Sequence, residues 1–190
     1  MEKIPPQSRF TGKRIVLYGP ESTGKSTLGQ QLARHYKTEC VPEFAREYLQ
    51  DKYDSSGDAC DFQDLLPIAI GQRETENQIV KTAVDYLFCD TDALETLVYS
   101  NYYFNEVPAA IASSIQESSY DLYLLLSIDL PWVKDDLRDR PDDREVLYKR
   151  FENELLNYNK PYQKVSGIEY TRFANAVRAI EEHFSKNEVK

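Results

Sequence analysis

The 190 residues predict an α/β fold, a parallel five-stranded sheet with helices on both faces. Three observations carry that prediction. Short apolar runs alternate with longer helical patterns along the whole chain. Hairpin turn signals between successive runs are missing. The first apolar run ends at a glycine-containing loop that opens a helix.

Arg14-Ile15-Val16-Leu17-Tyr18 is a compact apolar run stopped by Gly19-Pro20, the pattern of a buried strand running into a loop. Residues 27–36 place Leu28, Leu32 and Tyr36 at spacing four, one face of a helix. Residues 38–42 read as a second strand and 44–50 as a helix. The polar, acidic stretch 51–61, with Ser55-Ser56-Gly57, reads as a loop. Residues 62–84 are mostly helical in pattern despite Pro67 and Gly71. A third strand covers 85–89 and stops at Asp90; a helix follows over 91–103, and Pro108 opens a short helix through Gln116. The fourth strand is 120–127. Residues 135–144, densely charged and containing Pro141, read as a loop or mobile flap. A helix over 145–158, a strand over 162–165 and a helix over 171–184 complete one domain, 1–190, with a lid at about 132–145. In such a sheet ligands bind at the carboxyl ends of the strands, so the loops after Tyr18, Val41, Cys89, Ser127 and Val165 are where chemistry is expected.

Composition narrows the partners. Hydrophobic residues make up 41% of the chain, and no apolar run approaches the roughly 20 residues a membrane span needs. The first nine residues are polar, with Pro5-Pro6 and no apolar signal core, which points to a cytoplasmic protein. A net charge of −9 without a basic stripe argues against nucleic acid and anionic membrane surfaces. It suits small-molecule substrates, with a neutral or cationic second substrate better served than a polyanion. Cys40, Cys60 and Cys89 are widely spaced, and His35 and His183 lie far apart, a pattern of neither a disulfide scaffold nor a zinc site. Composition does not address oligomeric state.

Gly19-Pro20-Glu21-Ser22-Thr23-Gly24-Lys25-Ser26 matches the phosphate-loop pattern G-x-x-x-x-G-K-[ST], with a strand before it and a helix after. Backbone amides of Gly19, Glu21, Ser22, Thr23, Gly24, Lys25, Ser26 and Thr27 are expected to cradle phosphates at a helix N-terminus. Lys25 is expected to reach the β- and γ-phosphates, and Ser26 to ligate Mg²⁺ that accompanies ATP. Asp90, ending the third strand, is the expected second magnesium anchor; capping the following helix is its alternative role. Arg138, Arg140 and Arg144 sit in the flap, where they would neutralise the transferring phosphoryl group, Arg138 as the catalytic one; a solvated charged loop is the other reading. Gly167, after the fifth strand, is placed beside adenine by topology.

Beyond the phosphate loop, several segments resemble a known family. They are Val41-Pro42-Glu43-Phe44-Ala45-Arg46-Glu47-Tyr48-Leu49, Ile70-Gly71-Gln72, Asp90-Thr91-Asp92, and the run from Asp129-Leu130-Pro131-Trp132-Val133 to Asp139. Together with Glu21-Ser22-Thr23-Gly24-Lys25-Ser26, they resemble, in order and over nearly the whole chain, the ribosylnicotinamide kinase domain of NadR-type proteins. Two positions depart from its pattern: Asp136 stands in place of a glycine, and Glu95 in place of a threonine. The resemblance implies a P-loop, nucleoside-kinase-like fold and ATP-dependent phosphorylation of nicotinamide riboside to its mononucleotide. The acceptor is a primary 5′-hydroxyl on a ribose bearing a cationic ring, for which carboxylates and aromatic faces are natural partners. Glu43 is the first candidate for the base, with Asp92 second; Glu43 has two other readings, holding ribose hydroxyls or pairing with Arg46. Arg46, Asp92 and Trp132 are further substrate-side candidates, Trp132 as a stacking ring or as core. A kinase for another nucleoside, nucleotide or small alcohol, and a regulatory P-loop ATPase, are the competing functions.

Overall fold

The computed structural model describes residues 3–137 and 142–187. Five strands, β1 (Lys13–Tyr18), β2 (Glu39–Val41), β3 (Tyr86–Asp90), β4 (Leu122–Leu126) and β5 (Tyr162–Val165), form one sheet in the order β2-β3-β1-β4-β5. Every neighbouring pair is parallel. Parallel pairing needs crossovers, and helices supply them: α1 (Lys25–Tyr36), α2 (Phe44–Ser56), α3 (Leu65–Ile79), α4 (Ala93–Phe104), α5 (Ala109–Glu117), α6 (Arg144–Asn157) and α7 (Glu169–Asn187).

The three inner strands β1, β3 and β4 are nearly continuous apolar runs because both faces of the sheet are covered there, whereas the edge strands β2 and β5 carry exposed polar residues. Val16 and Tyr18 of β1 face one core, with Val41, Cys89, Tyr123 and Leu125, under residues of α3 to α6. Ile15 and Leu17 face the other, with Phe88, Leu122 and Leu124, against Leu28, Leu32 and Ala33 of α1 and Ala176 and Ile180 of α7. The two-residue period of a strand makes this division. The order puts β1 at the centre, with β3 and β4 on either side of it. The chain leaves β1 towards one edge for β2 and later crosses to the other for β4 and β5, and that reversal opens a crevice at the carboxyl ends.

Two spans differ from expectation. The loop expected over 51–61 begins late, because α2 continues to Ser56. Gln50 bonds Asp54 one turn on, the Ser55 and Ser56 hydroxyls fold back on the Lys52 carbonyl, and Gly57, left-handed at φ 75°, stops the helix. The helical stretch expected over 62–84 is a 3-10 turn, Phe62–Asp64, closed by an Asp61 capping box, and then α3. Pro67 is tolerated because it lies in the first turn of α3, where an N–H has no helical partner. Among the described residues no helix is long and apolar enough to cross a membrane.

Candidate active site

The loop between β1 and α1 supplies the cradle. Gly24 is the N-cap of α1 in the left-handed region at φ 79°, and a Cβ there would also meet Leu130 Cδ1 at 2.9 Å. The Thr23 hydroxyl is turned inward, donating to the Pro20 carbonyl at 2.8 Å, which leaves Thr23 its amide to offer a ligand. Lys25 is buried at 7% exposure. Its ammonium donates to the Gly19 carbonyl at 2.7 Å and the Pro20 carbonyl at 3.3 Å, and pairs with Glu95 at 3.1 Å. Burial alone would lower its pKa, but Glu95, Glu43 and Asp90 outweigh burial and leave it raised. Ser26 and Thr27 are exposed on the first turn of α1.

Asp90, at the end of β3, is buried and within hydrogen-bonding reach of the Ser26 hydroxyl. Burial, with Glu43 adding repulsion, pushes its carboxyl up to about 6 against the pull of Lys25 and Ser26. Its Oδ1 is buried without a hydrogen-bond partner. A hard oxygen left bare beside a serine hydroxyl fits Mg²⁺, which takes few protein ligands and completes its shell with phosphate and water. The next residue, Thr91, sits in the left-handed region at φ 76°, rare for a β-branched side chain, and its N–H is tied to the Leu17 carbonyl at 3.2 Å. This turn sends the two neighbouring carboxylates apart.

Asp92, expected at the substrate, is directed into the core. One oxygen caps α4 by accepting from the Leu94 amide at 3.2 Å, the other accepts from the Tyr123 hydroxyl at 2.7 Å, and the residue is 3% exposed. Burial raises its carboxyl to about 6. It is a structural cap, and the substrate-side reading of Asp92 is corrected accordingly.

Glu43 is the N-cap residue of α2, yet its side chain makes no capping bond. The buried Gln72 holds the turn around it, accepting from the Phe44 amide at 2.8 Å and donating to the Pro42 carbonyl at 3.1 Å. Gly71 lets Phe44 pack onto α3, since a Cβ there would lie 2.2 Å from the ring. Arg46 is not paired with Glu43 but with Asp135, at 2.6 Å, and Gln50 reaches Asp136 at 3.4 Å, so α2 grips the segment after β4.

That segment also meets the phosphate loop. Trp132 is half-buried rather than core, and its indole N–H donates to Glu21 at 2.6 Å, while the Glu21 amide donates to the Tyr99 hydroxyl at 3.1 Å. The Val133 amide donates to the Ser22 hydroxyl at 3.2 Å. Arg144 donates to the carbonyls of Leu130 at 2.7 Å and Ser22 at 3.1 Å. It thus braces the loop through backbone oxygens. Arg138 and Arg140 lie outside the described residues.

Sequence reading missed two residues. Glu95 stood out only as a departure from a motif; its ion pair with Lys25 is a tertiary fact. Arg172, 4% exposed, gave no signal beyond its place in the last helix. Its guanidinium donates to the carbonyls of Thr23, Gly167 and Ser127 and lies 3.5 Å from Asp129, fastening three loops of the carboxyl edge together. Gly167 is thereby held beside the cradle, its amide also donating to Asp129.

Comparisons with known proteins bear on family and fold. A family model described as AAA domain, AAA_28, matches residues 14–172. The trifunctional NAD biosynthesis/regulator protein NadR of Salmonella typhimurium (strain LT2) is 29% identical over 185 residues, and that of Escherichia coli (strain K12) 30% over 187. Each match covers 95% of this chain and 45% of the relative, so the chain spans less than half the length of these curated relatives. A crystal structure of NadR protein in complex with NR has a TM-score of 0.72 at 21% identity, covering 90% of this chain and 51% of that one. Thymidylate kinase from Ehrlichia chaffeensis has 0.64 at 13% identity, covering 90% and 98%. The resemblance read from the motifs holds, and the solved structures share the fold of P-loop kinases. With its phosphate loop, its β2-β3-β1-β4-β5 sheet and a match spanning most of its length, the chain belongs to the AAA_28 family of AAA domains.

Proposed function

We propose that this chain is an ATP-dependent kinase that phosphorylates the 5′-hydroxyl of nicotinamide riboside to give nicotinamide mononucleotide. The observation that carries the reading is the gathering of Lys25, Asp90 and Glu43 at the ends of three adjacent strands, each held there by a neighbouring element. The backbone amides from Ser22 to Thr27 and the Lys25 ammonium hold the triphosphate, and Ser26 and Asp90 hold Mg²⁺. Bound there, Mg²⁺ would offset the charge of the phosphates. Glu43 accepts the proton of the acceptor hydroxyl as its oxygen bonds to the γ-phosphorus and ADP departs. Catalysis is then mostly placement and charge neutralisation. The lid, with Arg138 and Arg144, closes over the phosphates, and Gly167 borders adenine.

Charge supports the acceptor. Glu43, Asp90 and Glu95 surround the single Lys25, an excess of negative charge that favours a cationic ring over a phosphorylated acceptor. Arg46, an arginine that could otherwise bind an acceptor phosphate, is engaged by Asp135. Trp132, half-buried at the rim, offers an aromatic face. The NadR structure solved in complex with NR adds support from outside the chain. An ADP-release assay across nicotinamide riboside, thymidine, uridine, deoxyadenosine and thymidylate tests the reading. Nicotinamide riboside should give the highest kcat/KM. A clear preference for another acceptor, or ADP release that no acceptor alters, would overturn it.

A further inference from the structure

Lys25 has three N–H bonds, and each already has an acceptor: the Gly19 and Pro20 carbonyls and Glu95 Oε1. A phosphate oxygen can bind the ammonium only by replacing one of them. The two carbonyls belong to the cradle itself, whose backbone is fixed by Thr23, Arg144 and Arg172. Glu95 is the less secure partner. It reaches Lys25 from α4 through a side chain 4% exposed, and its second oxygen, Oε2, is buried with no hydrogen-bond partner. Burial and its like-charged neighbours Glu43 and Asp90 work against the Glu95 carboxylate, and the Lys25 ammonium opposes them.

We propose that Glu95 is a positioning residue that competes with the nucleotide's phosphates for the Lys25 ammonium, so that binding a triphosphate requires Lys25 to exchange an internal carboxylate for a phosphate oxygen. The inference rests on the reading of the cradle as an ATP site. Affinity for ATP is held down by a group of the protein's own, and removing that group's charge raises it.

The test is calorimetric titration of the full chain with Mg²⁺ and a non-hydrolysable ATP analogue. Glu95→Gln and Glu95→Thr are each measured alone and combined with Lys25→Ala, with thermal unfolding as the check on folding. Either Glu95 variant should bind about tenfold more tightly than the wild type, and the gain should vanish when Lys25 is absent, the mark of a direct coupling. In steady state, KM for ATP should fall while KM for the riboside holds. Unchanged or weaker binding in both Glu95 variants, or a gain that survives Lys25→Ala, overturns the proposal. Failure of the wild type to bind the analogue at all overturns the ATP site with it. Analogue binding with the expected coupling but no riboside phosphorylation supports the competition and removes only the acceptor assignment.

Discussion

The two ends of the sheet each bury a cluster of charges, and the clusters are built in opposite ways. At the amino edge, Glu76 stands between Arg14, at 2.9 Å, and Arg73, at 3.8 Å. Gln7 donates to one of its oxygens at 2.8 Å and Tyr120 to the other at 2.7 Å. Arg73 continues to the Ser118 hydroxyl at 2.6 Å. Both carboxylate oxygens are satisfied, and cations outnumber the anion. At the carboxyl edge Glu43, Asp90 and Glu95 share one lysine, and Asp90 Oδ1 and Glu95 Oε2 have no donor. A cluster whose carboxylate is satisfied on both oxygens stabilises the fold, even with the buried Arg14 Nε–H lacking an aligned acceptor, whereas a cluster with surplus negative charge and bare carboxylate oxygens is complete only when cations join it. On the function proposed above, those cations are magnesium carried by a nucleotide and a positively charged acceptor.

Variants at the two edges should therefore separate catalysis from stability. The largest effect is expected for Lys25→Ala, which should lower kcat/KM by about 10³-fold or more in the coupled assay while circular dichroism shows the fold retained. Glu76→Ala should do the reverse. Leaving Arg14 and Arg73 without their carboxylate should cost about 3–5 kcal/mol in urea unfolding, with kcat and KM unchanged; a kinetic loss without a stability loss would erase the distinction between the edges. Glu43→Gln should lower turnover about 10²-fold at unaltered Mg·ATP affinity, as removal of a general base does. Wild-type turnover in that variant would return Glu43 to the role of ribose clamp.

The smallest expected effect concerns Asp92, which lies between the clusters. Its folded pKa of about 6 exceeds that of an unfolded aspartate, so the folded state holds the extra proton and stability falls as pH rises through that window. Asp92→Asn cannot ionise. Its stability relative to the wild type should rise by about 2–3 kcal/mol between about pH 4 and about pH 6, measured by denaturant unfolding at each pH. A flat difference would mean that the Tyr123 bond keeps Asp92 ionised throughout.

The inner strands β1, β3 and β4 are legible because each is an apolar run that stops at a polar or glycine residue, and those stops mark the carboxyl edge where ligands are expected. The phosphate loop and Asp90 followed from that. The second half of α2 did not, for a physical reason: no residue of that helix is buried, so it has no apolar stripe to read. Asp92 was placed on the substrate side beside Asp90 because residue type and spacing carry no information about the left-handed turn at Thr91 between them. Gln72 was visible as part of a motif, but its grip on the turn around Glu43 spans 30 residues, and Arg172 reaches Thr23 across 149. Such contacts exist only once the layers have packed.

The bridge from Arg46 to Asp135 has one more consequence. It is short but lies in partial contact with solvent, with side-chain exposures of 43% and 24%. Ion pairs so placed weaken as dissolved electrolyte rises, since mobile ions screen charges beyond about 10 Å at 0.1 M. The hold of α2 on the stretch after β4 thus loosens with ionic strength. Rate constants for this chain collected in dilute buffer and in concentrated salt will describe differently braced molecules.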